Sequence, residues 1–212
     1  DFLEESGKLD NLGAHNNNFE KTLITYDCLL QDQKLLISNL IHDFLSYGIS
    51  ASPIKNISLQ LQRNGGSEYV KDLHILAHGS EDGICFAGEL IDEKTLIANA
   101  DILKSWKIKN LFLWSCEIGK NKNFISLFSE LTGAKVFSSE EKISRDNPYV
   151  FDNKWKKFNL NQIIDLNSLG DPKSHPQSKS FFHTSYEYLH REWKCSPLCK
   201  STQNPRPLLD AM

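Results

Sequence analysis

"LHILAHGSEDG", residues 73–83, decides how this chain is read, because the apolar run Leu73, Ile75, Leu76, Ala77 stops abruptly on His78 and Gly79. A strand that ends this way either turns out of the core or delivers an imidazole to a site. The choice depends on whether a chemical partner is delivered the same way elsewhere. "NLFLWSCEIG", residues 110–119, repeats the pattern: Leu111 to Trp114 run apolar and lead to Cys116. The histidine and the cysteine are 38 residues apart.

Around these two runs the hydrophobic periodicity alternates between strand and helix. "KTLITYDC" reads as a first strand ending near Asp27, and "QDQKLLISNLIHDFLSYG" as an amphipathic helix on Leu36, Ile37, Leu40, Ile41, Phe44 and Leu45, stopped by Gly48. "NISLQLQ" alternates Ile57, Leu59, Leu61 as a short strand would, and "NGGS" is a turn. "GICFAGELID" has the look of a small hairpin, and "EKTLIANADILKSW" places Leu96, Ile97, Ala100, Leu103 and Trp106 on one helical face. "NKNFISLFSELTG" spaces Phe124, Leu127, Phe128 and Leu131 helically with Gly133 past the end; "AKVFSS" follows as a strand, and "NKWKKFNL" adds a last one near Trp155 and Phe158.

Strands separated by helices imply βαβ units and a mostly parallel sheet covered on both faces. The expectation is a three-layer α/β domain over residues 21–165. Residues 1–20 are polar and carry "HNNN", which reads as a flexible extension. From Leu169 onward apolar periodicity fades and five of the seven prolines occur, so 166–212 reads as a Pro-rich, poorly ordered tail.

A 212-residue chain with 40% hydrophobic and 24% charged residues is long enough to bury a real core. Its net charge of −3 provides no global attraction to nucleic acid or anionic membrane. No stretch approaches the roughly 18 apolar residues of a membrane span. Five cysteines are too few and too scattered for a disulfide framework, and the odd number leaves one unpaired within a monomer. No Gly-rich phosphate loop of known spacing occurs, and no cofactor is called for.

In a parallel sheet His78 and Cys116 both fall at the carboxyl edge, where open α/β folds place their ligand crevices. A cysteine becomes a strong nucleophile as its thiolate, which a neighbouring imidazole and the amino end of the helix beginning near Asn121 would favour. The amides of Gly79 and Cys116 could then form an oxyanion hole. The alternative is that Cys116 is a small core residue, the commonest role of a free cysteine.

The two strand ends "LHILAHG" and "LFLWSC" together resemble the caspase-like (clan CD) cysteine peptidases. The longer run "DLHILAHGSEDGICFAGELI…NLFLWSCEIG…FISLFSELTGAKVFSSEEKIS" is most similar to the domain of unknown function found near the amino end of large bacterial surface and adhesin-like proteins. In that family the strand before the cysteine usually ends Tyr-Gly, where this chain has Trp114-Ser115, and Glu117-Ile118-Gly119 replaces a small apolar run. The resemblance implies a cysteine endopeptidase with a Cys116/His78 dyad, acting on peptides or on its own polypeptide, in a secreted or cell-surface protein. It equally accommodates a catalytically inactive binding or assembly module of such a protein.

Other residues have plainer readings. Asp27 sits at a strand end on the same rim, as a substrate-binding acid or as the cap of the following helix. Glu117 beside the nucleophile is a substrate-binding candidate or a solvated acid. His74 reads as a hydrogen-bonded histidine against a helix layer, and Cys28 and Cys85 as packing residues. His183, His190, Cys195 and Cys199 match no common zinc spacing, so no metal site is expected; a Cys195–Cys199 disulfide is a further option.

Overall fold

A computed structural model describes residues 21–30, 33–42, 44–65 and 69–169. The expected extension 1–20 and nearly all of the expected tail, with its histidines and cysteines, lie outside those residues.

Five strands make one wholly parallel sheet: β1 (Thr22–Asp27), β2 (Leu45–Ile49), β3 (Val70–Leu76), β7 (Ile108–Trp114) and β8 (Lys135–Phe137), in the order β2-β1-β3-β7-β8. Between β3 and β7 the chain makes an antiparallel three-stranded sheet, β4 (His78–Ser80), β5 (Gly83–Phe86) and β6 (Glu89–Ile91), as the hairpin reading of "GICFAGELID" anticipates. Two further strands, β9 (Tyr149–Phe151) and β10 (Lys157–Asn159), pair with each other rather than extending the main sheet. The molecule is thus α/β, with helices flanking a parallel sheet.

The central strands are apolar on both sides because both sides are covered. Leu73, Ile75, Leu111 and Leu113 face one core with α2 (Pro53–Gly65), α3 (Glu93–Ala98), α4 (Ala100–Lys104) and α5 (Lys122–Thr132), which contribute Ile57, Leu96, Leu103 and Phe128. Leu76, Phe112 and Trp114 face the other with Leu36 of α1 (Gln33–Ser38) and the chain beyond β8: Ile143, Val150, Leu160 and Ile164. The second face is therefore covered mainly by strands and single helical turns.

Several local expectations are corrected. "NISLQLQ" is helix: Ile54, Ile57 and Leu61 are buried, at helical spacing, and Pro53 occupies the first position, where a missing N–H is harmless. The alternation of Ile57, Leu59 and Leu61 misleads because Leu59 is 46% exposed on the outer side. The long helix expected to run to Gly48 ends at Ser38, and the chain re-enters the sheet as edge strand β2. Gly48 pairs with Tyr26 inside the sheet, and a side chain there would meet Cys28 Sγ at 2.7 Å. The helix expected through Trp106 breaks at Asn99 into α3 and α4, leaving Ile97 exposed. By contrast, α5 begins and ends as read, with Asn121 Oδ1 accepting from the Phe124 amide and Gly133 closing it at φ 67°.

Candidate functional site at the carboxyl rim

The register of β3 on β7 carries a constant offset: Leu73 pairs with Leu111, Leu76 with Trp114. That offset is 38 residues, the separation of His78 from Cys116. Contacts beyond the last rung carry the match one step further, to Ala77 and Ser115. The Ala77 amide donates to the Trp114 carbonyl over 3.4 Å, and Ser115 Oγ donates to the Ala77 carbonyl over 3.0 Å. His78 and Cys116 each follow the last pair of their strands by two residues, so both lie at this carboxyl rim.

Gly79 is required here by close approach. A Cβ at that position would lie 2.6 Å from Ser115 Cβ and 3.2 Å from the Cys116 nitrogen. Its missing side chain thus faces Ser115 and admits the neighbouring strand's own backbone.

Side-chain direction follows from alternation. Leu76, Trp114 and Cys116 face the second core and Ala77 the first. Cys116 is 0% exposed and packs in that core. The Ile143 amide donates to its sulfur over 3.2 Å. Nearby, the Glu117 amide donates to the Glu141 carbonyl and the Gly119 amide to that of Ser139, over 3.1 and 2.8 Å, so residues 139–143 run along residues 116–119. The amide donor on the sulfur comes from this segment, which the sequence reading did not include. The amino end of α5 turns its Phe124 amide to its own cap, Asn121. His78 is only half-buried.

Glu117 is held at φ 61°, a left-handed conformation that non-glycine residues adopt rarely, and its carboxylate pairs with Lys120. Asp27 is 2% exposed, and its Oδ1 accepts from the Leu29 amide over 2.8 Å. Burial pushes its carboxyl above the ordinary range, while the Leu29 and Ala87 amides oppose the rise. The carboxylate thereby ties the end of β1 to the turn between β5 and β6. It does not cap α1, which starts at Gln33.

His74 is hydrogen-bonded, as read, though its layer is aromatic. Trp114 Nε1 donates to its Nδ1 over 3.0 Å, and the Phe112 ring stacks on it at 4.4 Å. Complete burial lowers its pKa from 6.5 to about 3, so it is a neutral acceptor.

One residue that the sequence reading set aside belongs beside the site: Cys85, which pairs directly with His78 across β4 and β5. Its signal was the hairpin itself, since a turn at Glu81 and Asp82 folds Cys85 back against His78. A cavity of about 220 Å³ lies between the start of α2 and β6, lined by Ser52, Ile54, Glu89 and Thr95 rather than by the His78–Cys116 pair. Among the described residues no three His, Cys, Asp or Glu side chains are grouped to hold a metal ion, and no helix is long and apolar enough to cross a membrane.

A parallel α/β domain carrying a histidine and a cysteine on matched strand ends is the class that fold and rim define. Within it, the chain belongs to the family described as a domain of unknown function, DUF4347, whose model matches residues 23–148, more than half the chain. No curated protein matches the sequence.

Proposed function

We propose that this domain is a caspase-like cysteine endopeptidase, acting on peptides or on its own polypeptide, with Cys116 as nucleophile and His78 as base. The observation that carries the reading is the 38-residue register of adjacent strands β3 and β7, whose last pair, Leu76 with Trp114, stands two residues before His78 and Cys116 and so supports a common carboxyl rim for both. In the reaction, Cys116 Sγ attacks the scissile carbonyl carbon while its proton passes to His78. The Gly79 and Cys116 amides donate to the developing oxyanion. His78 then protonates the leaving amine, and water attacking the thioester releases the acid and restores the thiol. Because the sulfur is fully covered, residues 139–143 must move before substrate enters. Once they move, Glu117 is the rim acid available to a basic substrate side chain, in exchange for Lys120.

The burial of Cys116 favours a second reading: a non-catalytic binding or assembly module of a bacterial surface protein that keeps the caspase-like scaffold. Mass-spectrometric mapping of labelling by an acyl-type thiol inhibitor, across all five cysteines, separates the two. The enzyme reading expects labelling centred on Cys116 that His78→Ala abolishes, together with thiol-dependent cleavage of the chain or of a peptide library. A Cys116 no more reactive than a simple thiol, with no cleavage, sinks it. Unchanged folding and function in Cys116→Ala would then establish the module.

A further inference from the structure

We propose that Cys85 is a working member of the rim site, a positioning residue whose thiol fixes the orientation of the His78 imidazole. The role of Cys116 rests on the reading above, but the placement of Cys85 rests on separate geometry. His78 and Cys85 are direct partners in the antiparallel pairing of β4 with β5. Facing residues of such a pair project to the same side, with Cβ atoms about 4.5–5.5 Å apart.

Alternation along both strands identifies that side. Ile84 and Phe86 are fully buried in the first core, so Cys85 between them turns away from it. A Cβ at Gly79 would face Ser115 and the Cys116 backbone, so His78 beside it turns away from that contact, to the same side of the small sheet as Cys85. The imidazole thus has the Cys85 sulfur as its cross-strand neighbour. Cys85 is only 8% exposed.

The chemistry requires such a group. A base that must take a proton from one sulfur needs its ring fixed in one tautomer by a third partner. A thiol is a weak donor and a weak acceptor, small enough to sit beside the ring on a cross-strand rung. Alanine or valine there would keep the fold's backbone pairing while removing both hydrogen-bonding functions. Serine would keep them.

The test reads the His78 ring itself, by long-range proton–nitrogen NMR of the full chain as wild type, Cys85→Ser, Cys85→Ala and Cys85→Val. The expected result is a single tautomer in wild type, loss of that preference in the Ala and Val variants, and its recovery in Ser. A wild-type ring divided between tautomers, or nitrogen shifts unchanged by Ala and Val, overturns the proposal. Should Ala fail to fold, the Ser and Val spectra decide by the same criterion. Alkylation of Cys116 by iodoacetamide gives a second measurement, expected to slow roughly tenfold in Cys85→Ala and to recover in Cys85→Ser. If Cys116 labels in none of them, the peptidase reading fails, while the ring spectrum still decides the role of Cys85.

Discussion

The main-chain amide of Ile143 donates to the sulfur of Cys116 over 3.2 Å, so the thiol two residues beyond β7 is held from across the rim by a residue 27 positions later in the chain. Ile143 is itself fully buried in the second core. The same segment returns Glu141 and Ser139 carbonyls to the amides of Glu117 and Gly119. The cover over the nucleophile candidate is therefore main chain, anchored by one apolar side chain.

The cover can be loosened without touching the thiol. A Cβ at Gly119 would fall 2.8 Å from the Ser139 carbonyl carbon and oxygen, so Gly119→Ala must displace that segment. Iodoacetamide should label Cys116 at least about tenfold faster in Gly119→Ala than in wild type, because local opening controls access to buried groups. Equal rates in the two proteins would show that residues 139–143 are not what shields the sulfur.

Gly79→Ala should destabilise the fold by about 1–3 kcal/mol, the usual range for overpacking a tight contact. The new methyl would stand 2.6 Å from Ser115 Cβ and 3.0 Å from the Cys116 carbonyl oxygen, and strand backbone yields little. Urea denaturation measures this directly. A loss below about 0.5 kcal/mol, the ordinary effect of a surface change, would mean that the two strand ends are not held together as described.

His74 makes stability depend on pH. Its pKa is lowered to about 3 in the fold against 6.5 in an unfolded chain, so between these values the unfolded state binds a proton that the native state does not. Stability from this residue is whole above pH 6.5 and falls as the pH drops toward 3, at about 1.4 kcal/mol per pH unit. Denaturation at pH 7 and pH 5 should show this slope in wild type and a flatter one in His74→Gln, which keeps an acceptor for the Trp114 indole. Parallel slopes would rule out a neutral buried ring.

Glu117 tests backbone against charge. Its left-handed backbone, φ 61°, costs an ordinary residue roughly 1–2 kcal/mol, whereas its solvent-screened pairing with Lys120 contributes little. Glu117→Gly should therefore remain near wild-type stability, and Glu117→Val should fall below Glu117→Gly by about 1–2 kcal/mol. Equal stability of the two variants would argue that the turn after Cys116 relaxes freely.

Reading the chain residue by residue succeeds where local and tertiary demands agree. The runs ending at His78 and Cys116, and α5 with its Asn121 and Gly133 ends, are strong local patterns that the fold leaves in place. The misreadings fall where local pattern is ambiguous and packing arbitrates. The stretch at Ile57–Leu61 fits period two as well as a helix, and burial of Ile54 with Ile57 and Leu61 decides it. β2 carries Gly48 and an exposed Leu45, neither a strong strand signal; pairing with β1 makes it a strand.

From the sequence alone came the alternating α/β order, the two chemically capable strand ends and the 38 residues between them, because strand-length apolar runs are specified by neighbouring side chains. Only the tertiary structure decided that this interval is the register of β3 on β7, that the thiol is covered by Ile143, and that Cys85 shares a rung with the histidine. Those are contacts between distant segments. Strand pairing and side-chain alternation create them, and no local pattern encodes which segments will meet.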